Sequence, residues 1–194
     1  MNNLQERISK EEVNKLPLRA FDGKIYTINK SSQLKSVIPL LENQKLLGFD
    51  TETRPVFKKH VYREVALLQL STKDEAFLFR LNKIGLPQEL TAILSNPKII
   101  KAGVATRDDI KELRQRTEFK PGGFVELQTF VNKYGIQDAG LKKLTGNILQ
   151  FRISKSEQLS NWEKTRLSSK QKKYAATDAW VGYMIYSELT NSYE

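Results

Sequence analysis

The chain has 194 residues, 39% of them hydrophobic and 28% charged, with 32 Lys and Arg against 22 Asp and Glu for a net charge of +10. That length supports one domain with its own core. The lack of Cys excludes disulfide scaffolds, thiolate zinc and iron–sulfur sites and thiol catalysis, and a single His, His60, excludes a multi-His metal site. The polar start MNNLQERISKEEVNK and the absence of an apolar run near the ~18 residues of a membrane span predict a soluble intracellular, cytoplasmic protein with no membrane contact. The positive excess points to a polyanion, nucleic acid first, as partner.

In chain order, residues 1–22 read as a charged N-terminal extension, poorly ordered or loosely docked, ahead of a single domain over 23–194. KIYTI (Lys24–Ile28) has a strand pattern. Ser31 or Ser32 then caps an amphipathic helix to about Leu41, which Pro39 is expected to kink or shorten. LLGFDTET (Leu46–Thr53) is a buried strand with a polar end, and VALLQLS (Val65–Ser71) and EAFLFRL (Glu75–Leu81) are strands around a Thr72-Lys73-Asp74 turn. Pro87 opens a short helix ending near Asn96-Pro97; Ile99–Ala105 is a strand, and Thr106 caps a helix over Arg107–Gln115. FVELQTFVNKYG predicts an extended piece entering a helix that Gly135 stops, Leu141–Leu144 a helical turn or two, and Arg152–Ser160 an irregular loop. Ser168 or Ser169 starts the clearest element, a helix to about Leu189. Early strands and later helices predict an α/β or α+β sheet domain.

Several acidic residues stand where a basic protein has little use for them. Asp50 and Glu52 are two apart at the end of an apolar strand, so both carboxylates project from one face, with Thr51 and Thr53 on the other. Neighbouring carboxylates repel unless a cation lies between them, and hard oxygen donors of this kind suit magnesium or manganese. Asp178 lies in the apolar stretch YAATDAWVGYMIY, one helical turn after Tyr174, where a carboxylate needs an ion pair or a metal. Asp109, beside Asp108, opens a helix, a position that the helix dipole favours in any case. Together they supply four carboxylates and a phenol, the inventory of a two-metal phosphodiester hydrolase.

The order GFDTET, KAGVATRDD, KKYAATDAW resembles the three motifs of the DEDDy 3′–5′ exonucleases, the group that includes ribonuclease D and Werner-type exonuclease domains. The likeness runs from Leu46 to Leu189 and includes VALLQL, GFVEL, LKKL and NWEKTRLSSKQ. It implies an α/β, ribonuclease H-like fold, a mixed sheet flanked by helices. It makes Asp50, Glu52, Asp109 and Asp178 the metal ligands, Asp109 being preferred over Asp108 because Leu113 follows four residues later. Tyr174 fills the tyrosine position of this branch, whereas the related histidine branch would need His where Lys173 stands.

The function so implied is metal-dependent removal of nucleoside 5′-monophosphates from the 3′ end of DNA or RNA. Two Mg²⁺ or Mn²⁺ ions, about 4 Å apart, would share the site, with Asp50 bridging. Tyr174, a phenol of pKa about 10, would orient water rather than deprotonate it. The segment from Arg54 to Arg63 interleaves basic and aromatic side chains, and Arg54, Phe57, Lys58, Lys59 and Arg63 are its candidate nucleic-acid contacts, with Tyr62 as a second stacking ring. Lys170, Lys172 and Lys173 either meet phosphate or face solvent, and Trp162 packs under the loop. Two other readings stay open: a catalytically weak nucleic-acid-binding module on the same fold, and a metal-dependent endonuclease on a similar sheet.

Overall fold

A computed structural model describes residues 4–56 and 62–191. Its centre is a six-stranded mixed sheet, built from β1 (Lys24–Ile28), β2 (Leu46–Thr53), β3 (Val65–Ser71), β4 (Glu75–Phe79), β5 (Ile100–Gly103) and β6 (Phe124–Glu126). The strand order is β1-β4-β3-β2-β5-β6; β3 runs antiparallel to its neighbours β2 and β4, and β1, β5 and β6 each join in parallel. Strand periodicity sorts the side chains into two layers. Leu47, Phe49, Leu68, Leu70, Phe77 and Phe79 face a core closed by α2 (Leu34–Glu42), α4 (Gln88–Ser95) and α5 (Thr106–Arg116). Leu67, Ala76, Leu78 and Ala102 face the other way, toward α8 (Ser169–Asn191).

The 23-residue helix α8 starts with a reciprocal cap: the Gln171 amide donates to Ser168 Oγ, and the Ser168 amide to Gln171 Oε1. It crosses the sheet so closely that a Cβ on Gly48 of β2 would lie 1.8 Å from the Ala179 carbonyl oxygen. Gly182 makes a similar approach to the carbonyl of Ala102. We expect Gly48→Ala to cost about 3 kcal/mol or more in urea denaturation, because backbone rather than a flexible side chain must give way.

Several elements differ from the sequence reading. Helix α2 continues through Pro39 to Glu42 after a short 3₁₀ turn at Ser31–Gln33. Strand β4 stops at Phe79, because the Arg80 amide turns to the carbonyl of Ile28 and the turn α3 (Leu81–Ile84) follows. Strand β5 is shorter than Ile99–Ala105, since the chain turns into α5. Beyond β6, α6 (Leu127–Phe130) leads to a 3₁₀ turn that Gly135 ends with φ 77°. Helix α7 (Leu141–Leu149) runs well past Leu144.

The N-terminal residues are docked rather than loose. Ser9 caps α1 (Lys10–Lys15) through a reciprocal box with Glu12. Ile8 and Val13 are buried, and Val13 packs where Gly146 of α7 has no side chain: a Cβ there would meet it at 2.9 Å. Polar contacts fix the segment further. The Ile8 amide donates to Asp138 Oδ2 at 2.8 Å, Asn147 exchanges two hydrogen bonds with the backbone of Gln5, and Leu18 bridges to Arg152. No helix among the described residues is long and apolar enough to cross a membrane.

Candidate active site

The site lies at the end of β2, where the ladder to β3 slips between Glu52 and Thr53. Such bulges splay strands and re-aim side chains. Asp50 and Glu52 point to the α8 face, as the two-residue period requires, and Asp178 of α8 meets them there. One oxygen from each of the three carboxylates lies within 4.8 Å of the others. Gln69 pairs with Asp50 across the ladder and is fully buried, and among the described residues its amide has no hydrogen-bond partner.

The Tyr174 phenol lies beside the carboxylate of Asp178, one turn later in α8, and both line the same cleft. The Tyr174 ring rests 6.0 Å, centroid to centroid, from that of Trp162, which is fully buried as a packing residue. The loop carrying Trp162 is held from beneath by Arg80, a buried guanidinium that donates to the carbonyls of Trp162 and Lys164.

Asp109 approaches from the opposite layer. It lies on α5, and its Oδ1 accepts a 2.6 Å hydrogen bond from the Thr51 hydroxyl, so the residue between the two acids of β2 positions the third. Thr53 makes the equivalent, longer contact to Glu112. The cap of α5 is not Thr106. Ala105 occupies the cap position in a left-handed conformation, φ 60°, and the Glu126 carboxylate accepts from the Ala105 and Thr106 amides and the Thr106 hydroxyl. A left-handed alanine costs about 1 kcal/mol, which the acidic cap on three donors offsets.

Burial and mutual repulsion favour the protonated forms of these acids. Burial, then the charges of Asp178, Glu52 and Asp109, pushes Asp50 well above the usual carboxylate range. Burial followed by Asp178 and Asp109 raises Glu52 to about 9. Asp109 rises to about 7, chiefly through burial and against the Thr51 hydrogen bond. Asp178 also reaches about 7 through burial, restrained by the Tyr174 phenol and the positive charge of Lys155. Burial and the same acids raise Tyr174 as well, so its phenol keeps its proton. A set of oxygen donors this close and this reluctant to ionise fits a divalent cation, whose charge offsets the repulsion.

The other expected contacts stand apart from this centre. Arg54 and Arg63 share one partner, Glu163, at 3.2 and 3.6 Å. Phe57, Lys58 and Lys59 lie outside the described residues, and Tyr62 is exposed. Lys172 lines a separate cavity beside Arg80 and Lys83, while Lys170 and Lys173 are exposed. Three contributors were absent from the sequence reading: Thr51, Glu126 and Lys155. The strand period places Thr51 on the opposite face, where a later helix must pack; nothing local marks the other two.

Known proteins share this arrangement of chain and fold. The mouse bifunctional 3′–5′ exonuclease/ATP-dependent helicase WRN is 34% identical over 186 residues, covering 91% of this chain but 13% of the mouse protein. Ribonuclease D from Escherichia coli superposes with a TM-score of 0.77 at 23% identity, over 87% of this chain and 44% of that one, and so shares the ribonuclease H-like fold. An EXD2 exonuclease domain crystallised and soaked in Mn and Mg is 26% identical, with a TM-score of 0.50 over 87% of this chain and 90% of that chain. A family model described as 3′–5′ exonuclease matches residues 25–194, which takes in every acid of the cluster. On that match, the chain belongs to the 3′–5′ exonuclease family.

Proposed function

We propose that this chain removes nucleoside 5′-monophosphates one at a time from the 3′ end of DNA or RNA, with Mg²⁺ or Mn²⁺ as cofactor. The observation that carries the reading is the meeting of Asp50, Glu52 and Asp178 within 4.8 Å at one wall of a cleft of about 690 Å³. These three, with Asp109, would hold two ions; the oxygen donors and the EXD2 crystals soaked in Mn and Mg support that choice. Bound there, divalent ions supply positive charge that acidifies water and neutralises the phosphodiester.

The protein's own groups then order the reaction. Water adds to phosphorus, the P–O3′ bond breaks, and the departing 3′ oxygen takes up a proton, leaving a 5′-monophosphate and a shorter strand. Tyr174 keeps its proton, so it acts as a donor that fixes Asp178 and orients the water rather than as the base. Trp162 limits movement of that phenol. Thr51 and the cap by Glu126 hold Asp109 on the other layer, outside the group of three, where its charge still acts on Asp50 and Glu52. Contact with substrate through Arg54 or Arg63 requires them to loosen their shared hold on Glu163.

Digestion of matched, 5′-labelled DNA and RNA strands with Mg²⁺ or Mn²⁺ tests the reading. We expect a ladder shortening by single nucleotides from the 3′ end, and internal cuts would refute it. Tyr174→Phe should lower kcat about 10–100-fold with little change in KM, as befits a group that orders the reacting water.

A further inference from the structure

The cleft that holds the acids has another wall, built in part by residues that precede the matched family region. Val13 and Lys10 of α1, Leu141 and Lys142 of α7, and Ile153 and Lys155 of the following loop all line it. The wall is firmly assembled: α1 sits on Gly146, Lys142 Nζ lies 3.5 Å from Asn14 Oδ1, and Arg152 hydrogen-bonds to the backbone of Leu16 and Pro17. A neighbouring lysine, Lys143, is neutralised by Asp138 at 3.1 Å. Among the described residues, Lys10, Lys142 and Lys155 stand in no ion pair. The cleft therefore has its acids on β2 and α8 and its lysines on the wall that α1, α7 and the loop form.

We propose that this wall is the track for the substrate strand, with Lys10, Lys142 and Lys155 on phosphates of the nucleotides behind the 3′ terminus and Val13, Leu141 and Ile153 against sugars or bases. The proposal rests on the exonuclease reading and adds to it the direction in which a single strand leaves the acids. Charge complementarity and the continuity of wall and acids within one cavity carry it. Ammonium groups outside any ion pair among the described residues, beside an apolar floor, suit an extended polyanion with flat rings. By contrast, Arg54 and Arg63 are already engaged by Glu163, and none of the three lines this cleft. The N-terminal segment thus becomes a functional part of the site.

The test compares wild type with the double variant Lys10→Gln/Lys142→Gln, using Lys120→Gln, an exposed lysine away from the cleft, as control. Fluorescence anisotropy with a labelled single-stranded decamer across a salt series reads binding without turnover. The double variant should bind several-fold more weakly, and its salt dependence should be shallower by roughly 0.7 in log Kd against log salt for each lysine removed. In the digestion assay, its kcat/KM for a decamer relative to a dinucleotide should fall by a similar factor, while the control matches wild type. An unchanged salt slope and an unchanged ratio, in a wild type that digests from the 3′ end, would overturn the track alone. A wild type that fails to digest any strand would instead overturn the exonuclease reading, and the anisotropy series would still decide whether the wall binds nucleic acid.

Discussion

Asp50→Asn and Asp178→Asn each slow 3′-end digestion by on the order of 10³-fold or more, and each raises the melting temperature of the metal-free protein. The first effect follows from the several kcal/mol of charge stabilisation that ions held by these side chains contribute, at 1.36 kcal/mol per decade of rate. The second follows from the geometry: each substitution removes one of three carboxylates held within 4.8 Å of each other in a buried setting. A neutral amide keeps the size of the side chain and relieves repulsion on the remaining two. The two signs together are diagnostic, since a substitution that merely damaged the fold would lower activity and stability alike. Digestion rates and thermal melts in a chelating buffer, made on the same preparations, measure both. Full activity in either variant would contradict the assigned roles.

The metal-free protein loses stability as pH rises from about 5 to 9, and saturating Mg²⁺ or Mn²⁺ abolishes most of that loss. Glu52 titrates near 9 in the folded chain, Asp109 and Asp178 near 7, and Asp50 is raised as well. In the unfolded chain all four release their protons near pH 4. Between these limits the folded state binds more protons, so the stability contributed by the protonated acids is complete below about pH 4 and is lost as pH climbs through 7 and 9. The slope is about 1.4 kcal/mol per pH unit for each proton retained. Ions that bind the ionised cluster replace those protons, and at 100 to 1,000 times Kd they add roughly 3–4 kcal/mol. Chemical denaturation at pH 5, 7 and 9, with and without Mn²⁺, checks the prediction; parallel curves would show that no shared site exists.

Much of this was legible from residue order because the site is built from periodicities. The two-residue alternation of β2 put Asp50 and Glu52 on one face, and the four-residue step in α8 put Tyr174 beside Asp178. What escaped was set by contacts between elements. Thr106 has the side chain of a helix cap, yet a carboxylate from a strand twenty residues later takes the position. The helical turn or two expected over Leu141–Leu144 runs on through Gly146, the seat for Val13, and Asn147, which holds Gln5. For the same reason the first twenty residues carry too few apolar side chains to announce a docked segment. Their anchors, Ile8 and Val13, are isolated in a charged run and find their partners more than 130 residues away.

The point at which Gly48 meets Ala179 fixes more than packing. Two residues past that glycine stands Asp50, and one residue before Ala179 stands Asp178, so bare main chain touching main chain sets the gap between opposing jaws of a calliper. Turning a carboxylate moves only a side chain, but widening or narrowing the jaws would have to move main chain. A divalent ion bound between those jaws would meet a span set by the skeleton, with the acids as its fingertips.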